Sequence, residues 1–209
     1  MTEAEWLRCN DPPRMLNYLR GKVGERKARL FAVCCCTSEN ATIDEPGCRH
    51  AVEISERYAD GLEMRSVLKR ARRGALVAVD LDMPGLDIAA WHTGERDAWA
   101  AAINTAEAIA GRISTDSYAS HRETQTALLR DIFGNPYRPA TFIPAWRTDT
   151  ALSLARGMYE SRDFSAMPIL ADALQDVDCD NTDILDHCRD PHATHVRGCW
   201  VVDLVLGKA

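Results

Sequence analysis

The chain has 209 residues, 46% of them hydrophobic and 27% charged, and its 31 acidic and 25 basic side chains give a net charge of -6. This balance excludes a wholly disordered chain, a collagen-like chain and a bulk nucleic-acid binder held by positive charge. The length fits one domain, or two small ones, with a core of useful size.

The N-terminal string MTEAEWLRCN has neither a basic region nor an apolar run, so it does not read as a signal peptide. Asp11-Pro12-Pro13 starts the first helix, an acid at the cap and proline in the first turn, where no donor is lost. Met15, Leu16 and Leu19 give it one apolar face, and Gly21 closes it. A second helix is expected from Glu25 to Cys36, and a third from Pro46 to Gly61, with the polar break Asn40–Asp44 between them. Glu63–Arg73 reads as a short basic helix. Ala75–Leu81 has strand-like composition but no strand to pair with, and reads as loop or helix end.

Arg96–Ile113 is rich in alanine, with Ala102, Ala106, Ile109 and Ile113 on one face, where another helix can approach closely. Ser117–Phe133 is the next helix, ended by Gly134-Asn135-Pro136. The proline-rich loop over residues 135–147 follows and is the best candidate for a subdomain boundary. Helices are then expected over Asp149–Tyr159, Ala166–Val177, Thr182–Arg189 and Thr194–Leu206. The expectation is an all-α fold, residues 1–209 forming a single compact multi-helix domain of about eight or nine short helices.

Charge is uneven along the chain. Residues 1–75 carry 14 basic and 11 acidic side chains, residues 76–209 carry 11 and 20. Such asymmetry can orient a partner without naming one. The basic run Lys69–Arg73 has no aromatic interleaving, so no nucleic-acid partner is expected. The longest apolar run, Trp200–Leu206, is broken by Asp203 and is far shorter than the roughly 20 residues of a membrane helix. A cytoplasmic location with no membrane contact is therefore the expectation. The eight cysteines then read as reduced thiols rather than disulfides.

Three stretches together resemble a family of helical bacterial proteins with no known activity. They are Glu25–Cys36 followed by Ala51–Gly61, then Leu128–Pro139 (LLRDIFGNPYRP), then His195–Lys208 (HVRGCWVVDLVLGK). The resemblance implies a helical fold and transfers no cofactor and no site. The chain departs from the family pattern at Thr37–Asp44, which is more polar.

Four constellations could carry chemistry. Cys179, His187, Cys188, His192, His195 and Cys199 place three of six histidines and three of eight cysteines within 21 residues. Mixed cysteine and histidine ligands suit zinc. On a helix His195 and Cys199 would share a face, and Cys188 could fold back toward it, so the candidate metal ligands are His187, Cys188, His195 and Cys199. The alternative reading makes Cys199 a core residue and leaves His187 and His192 in solvent. Asp176, Asp178 and Asp180 imitate a calcium loop, but Asn181 and His187 stand where glycine and glutamate belong, and a helix-capping turn is preferred. Cys34-Cys35-Cys36 read mainly as buried thiols, with at least one more exposed. Asp203, alone in an apolar helix, calls for an arginine partner, Arg130 or Arg138, or serves as a metal ligand or as support for His195.

No nucleotide-binding loop, dinucleotide fingerprint, metalloprotease helix or nucleophile elbow occurs in the sequence. The leading expectation is a non-enzymatic interaction or regulatory module with a protein partner. The alternative is a metal-dependent, zinc-type enzyme or a zinc-stabilised protein built on the His187–Cys199 cluster.

Overall fold

The computed structural model describes residues 1–37, 43–78, 86–110 and 115–208. Among these, all regular structure is helical, and the helices number twelve rather than eight or nine. They are α1 (Glu3–Arg8), α2 (Pro12–Leu19), α3 (Glu25–Thr37), α4 (Pro46–Ala59), α5 (Arg65–Ala78), α6 (Leu86–Thr93), α7 (Ala98–Ala110), α8 (Thr115–Phe133), α9 (Asp149–Ser161), α10 (Met167–Gln175), α11 (Thr182–Arg189) and α12 (Trp200–Leu206), with a 3-10 turn at Pro144–Trp146. Two of the twelve, α1 and α6, fall where no helix was expected, because both are short and lack a long apolar period. In α1 a capping box between Thr2 and Glu5 closes the first turn. In α6 the eight residues LDIAAWHT show no clear apolar stripe.

Contacts divide the chain into two compact units, Met1–Leu129 and Arg130–Ala209. The division falls inside α8, ahead of the proline-rich loop.

In the first unit α3 packs against α4 and α7, α4 also packs against α5, and α6 packs against α7. Small side chains allow this closeness: Ala101, Ala102 and Ala106 of α7 are fully buried. Ile113 lies outside the described residues. The strand-like stretch is helical as far as Ala78, the end of α5, and its remainder also lies outside them. Cys34, Cys35 and Cys36 are all buried, against the expectation that one would be more exposed. Burial pushes the Cys35 and Cys36 thiols up.

In the second unit α9 packs against α10 and α12, and α11 against α10 and α12. Met158, Leu170, Leu174, Ile184, Val201, Val202 and Val205 form the centre of its apolar core. Local signals set the helix ends. Thr148 Oγ1 accepts from Ala151 N–H at 3.2 Å to start α9, and Asn181 Oδ1 accepts from Ile184 N–H at 3.2 Å to start α11. The cap of α11 is thus Asn181, which follows the Asp176–Asp180 turn, and not one of the three aspartates expected to cap it.

The last helix is shorter than the sequence suggests. It begins at Trp200 rather than Thr194, and residues 190–199 form an irregular connection. Gly198 adopts φ +98°, and Cys199 N–H donates to Val196 O at 2.9 Å, so the chain turns there instead of continuing a helix. His195 and Cys199 therefore do not share a helical face. Asp203 is buried within α12.

Candidate metal centre

Four side chains of the second unit converge. Asp131 lies in the last turn of α8, three residues before Gly134, whose φ of +66° ends that helix. His187 lies in the last turn of α11. His195 sits in the irregular connection, and Cys199 stands at the N-cap of α12. Their ligand atoms all lie within 4.8 Å of one another.

The individual distances are close to those of a coordination polyhedron. His195 Nδ1 lies 2.9 Å from Asp131 Oδ1, and His187 Nε2 lies 3.2 Å from the same oxygen. His187 Nε2 is also 3.2 Å from Cys199 Sγ, and His195 Nδ1 is 3.9 Å from it. A tetrahedral zinc with bonds of about 2.0–2.3 Å spaces its ligand atoms by about 3.3–3.7 Å. The four measured edges bracket that range, so the group can hold a metal ion. The donor set, one thiol, two imidazoles and one carboxylate, is of the borderline type that suits zinc.

The surroundings fix the donors. Asp131 Oδ2 accepts from Val196 N–H at 2.9 Å, which leaves Oδ1 as the oxygen facing the cluster. The imidazole of His187 lies against Trp200, with ring centroids 5.1 Å apart, and edge-on to His195 at 4.8 Å. Asp131 and Cys199 are buried, while the side chains of His187 and His195 are 16% and 8% exposed. Burial raises the Asp131 carboxyl, but hydrogen bonds from His187 and His195 outweigh it and hold the group below the usual range. Burial pushes the Cys199 thiol well up, and the Asp131 charge adds to this. A bound cation would reverse that balance, because a coordinating thiol is deprotonated.

The structure brings together His187, His195 and Cys199 of the candidate ligands, and leaves Cys188 outside. Cys188 is buried in the apolar core, where burial raises its thiol to about 12, with Cys179 close by. Consecutive residues on a helix point about 100° apart, so His187 and Cys188 cannot both face one ion. His192 is exposed, and Cys179 is a core residue. Asp131 is the residue that sequence reading missed. It lies in LLRDIFGNPYRP, as His195 and Cys199 lie in HVRGCWVVDLVLGK. Asp203 is not part of the group.

Comparison with protein-family models, with curated proteins and with solved structures finds no match to this chain. The helical fold that the resemblance implies is the fold observed. No helix among the described residues is long and apolar enough to cross a membrane.

Proposed function

We propose that residues 130–209 form a zinc-stabilised helical unit, and that the chain acts as a non-enzymatic interaction or regulatory module rather than as a metalloenzyme. The carrying observation is the convergence of Asp131, His187, His195 and Cys199 from three separate helices and a loop. Residues that far apart in sequence meet at ligand spacing only if the folded chain holds them there.

The choice of a structural over a catalytic metal rests on closure. A catalytic zinc keeps one position for water or substrate, with three protein ligands, whereas a structural zinc takes four. Here four protein donors are available and the most exposed of them is 16% accessible. The metal would close the irregular connection 190–199 onto the ends of α8 and α11, fixing a backbone that has little regular hydrogen bonding of its own. A protein partner is the class that the sequence favours, since it carries no nucleotide or nucleophile motif.

Elemental analysis of protein expressed with added zinc tests this reading. About one zinc per chain is expected, lost on Cys199→Ala or His195→Ala, with a drop in stability that accompanies the loss because binding and folding are coupled. A zinc-free protein with a mildly affected Cys199→Ala variant would refute the metal centre. Zinc that supports hydrolysis of a substrate and is held with an exchangeable water would instead establish the metalloenzyme.

A further inference from the structure

We propose that Trp200, seated on Gly134, is a positioning residue that holds the His187 imidazole in place for the metal; the proposal rests on the metal-binding reading above. His187 is the most exposed of the four ligands and offers Nε2, the ring nitrogen farther from the backbone. A small rotation of the side chain displaces Nε2 more than it displaces Nδ1, so this ligand needs a wall. His195 offers Nδ1, the ring nitrogen nearer its backbone, which moves less.

The wall is Trp200. Its ring lies 5.1 Å from the His187 ring, tilted by 50°. Gly134 sets how closely Trp200 can seat. A Cβ at Gly134 would lie 3.2 Å from Trp200 Cγ and 3.3 Å from Cδ2, too close for comfortable packing, and φ +66° already disfavours a side chain there. Two candidate ligands and the two parts of the wall thus come from the same two helix ends. Asp131 and Gly134 close α8, while Cys199 and Trp200 open α12. A shift of either end moves a ligand and its support together.

The test uses the full chain and Co²⁺ alone as the probe, read by its visible absorption and by competition against a chromophoric chelator. The unaltered protein gives the reference affinity and the four-coordinate spectrum. Trp200→Ala is expected to weaken Co²⁺ and Zn²⁺ binding by roughly 10–100-fold, the usual cost of removing a group that orients a ligand, and to alter the spectrum. Trp200→Phe, which keeps a flat ring against His187, should restore most of the affinity. Gly134→Ala should act in the same direction as Trp200→Ala with Trp200 intact. A folded Trp200→Ala protein with unchanged affinity and spectrum overturns the proposal. Should that variant not fold, unchanged binding in Gly134→Ala overturns it equally. If the unaltered protein itself takes up no Co²⁺ or Zn²⁺, the metal centre fails and this proposal with it.

Discussion

Asp131 accepts from both imidazoles through Oδ1 and from Val196 N–H through Oδ2, all from within a buried site. Asp131→Asn keeps the shape but loses the charge, and Asp131→Ala loses the ligand. Zinc affinity should fall in both, further in Asp131→Ala. In zinc-free protein, Asp131→Ala should still cost about 1–3 kcal/mol, because Val196 N–H loses its acceptor; urea unfolding with a chelator present measures this. The histidines and Cys199 were legible from their local density in sequence. Asp131 was not, because one acid among 31 has no spacing signal and its partners are joined to it only by the fold. In the first unit Glu95 shows the same residue-scale physics. Burial raises its carboxyl, but hydrogen bonds from His92 and Asn104 hold it lower on balance. A carboxyl lowered in the folded state stabilises above its unfolded value of about 4.3, and that contribution is lost as pH falls through the folded value. Glu95→Gln should therefore flatten the acid limb of the stability profile below about pH 5, and a profile identical to that of the parent protein would contradict this.

At the scale of elements, caps and turns decide where the ligands stand. Arg147 closes α12 by donating Nε–H to Val205 O and an Nη2–H to Leu204 O, both at 2.8 Å, in the last turn, where Leu204 O also accepts Gly207 N–H at 3.3 Å. Arg147→Ala should cost about 1–2 kcal/mol, and Arg147→Lys should recover only part of it, since an ammonium cannot span both oxygens with the same fixed fork. Denaturant midpoints of the two variants test the order. Gly198 matters in another way. At φ +98° it makes the turn that separates His195 from Cys199, and Gly198→Ala should cost about 1–3 kcal/mol and weaken zinc binding at the same time. The apolar run Val201–Leu206 marked the last helix in the sequence, and its burial follows from that. Its start was misplaced because the string Thr194–Cys199 carries no proline to announce a break, and the single glycine in it is tolerated in helices often enough to be read through.

For the whole molecule, the helical class was legible because caps and apolar periods recur along most of the chain. The division into units was less so, because the boundary lies within a continuous helix rather than in the proline-rich loop that attracts attention in the sequence. That placement has a consequence for the metal. All four ligands lie in the Arg130–Ala209 unit and none in Met1–Leu129. A ligand that binds only the folded form adds RT ln(1 + [L]/Kd), about 4 kcal/mol at a thousand times Kd, to the part of the chain that forms its site. Removing zinc with a chelator should therefore lower amide hydrogen-exchange protection in residues 130–208, while residues 1–110 keep theirs. Within the second unit the loss should be greatest over residues 190–199, which contribute two ligands and have no helical hydrogen bonds to fall back on, and smaller in α9 and α10, whose buried faces at Met158, Leu170 and Leu174 pack without the metal. Equal loss in both units would show that the metal acts on the whole chain, and no loss in residues 190–199 would show that it does not hold the connection it is proposed to close.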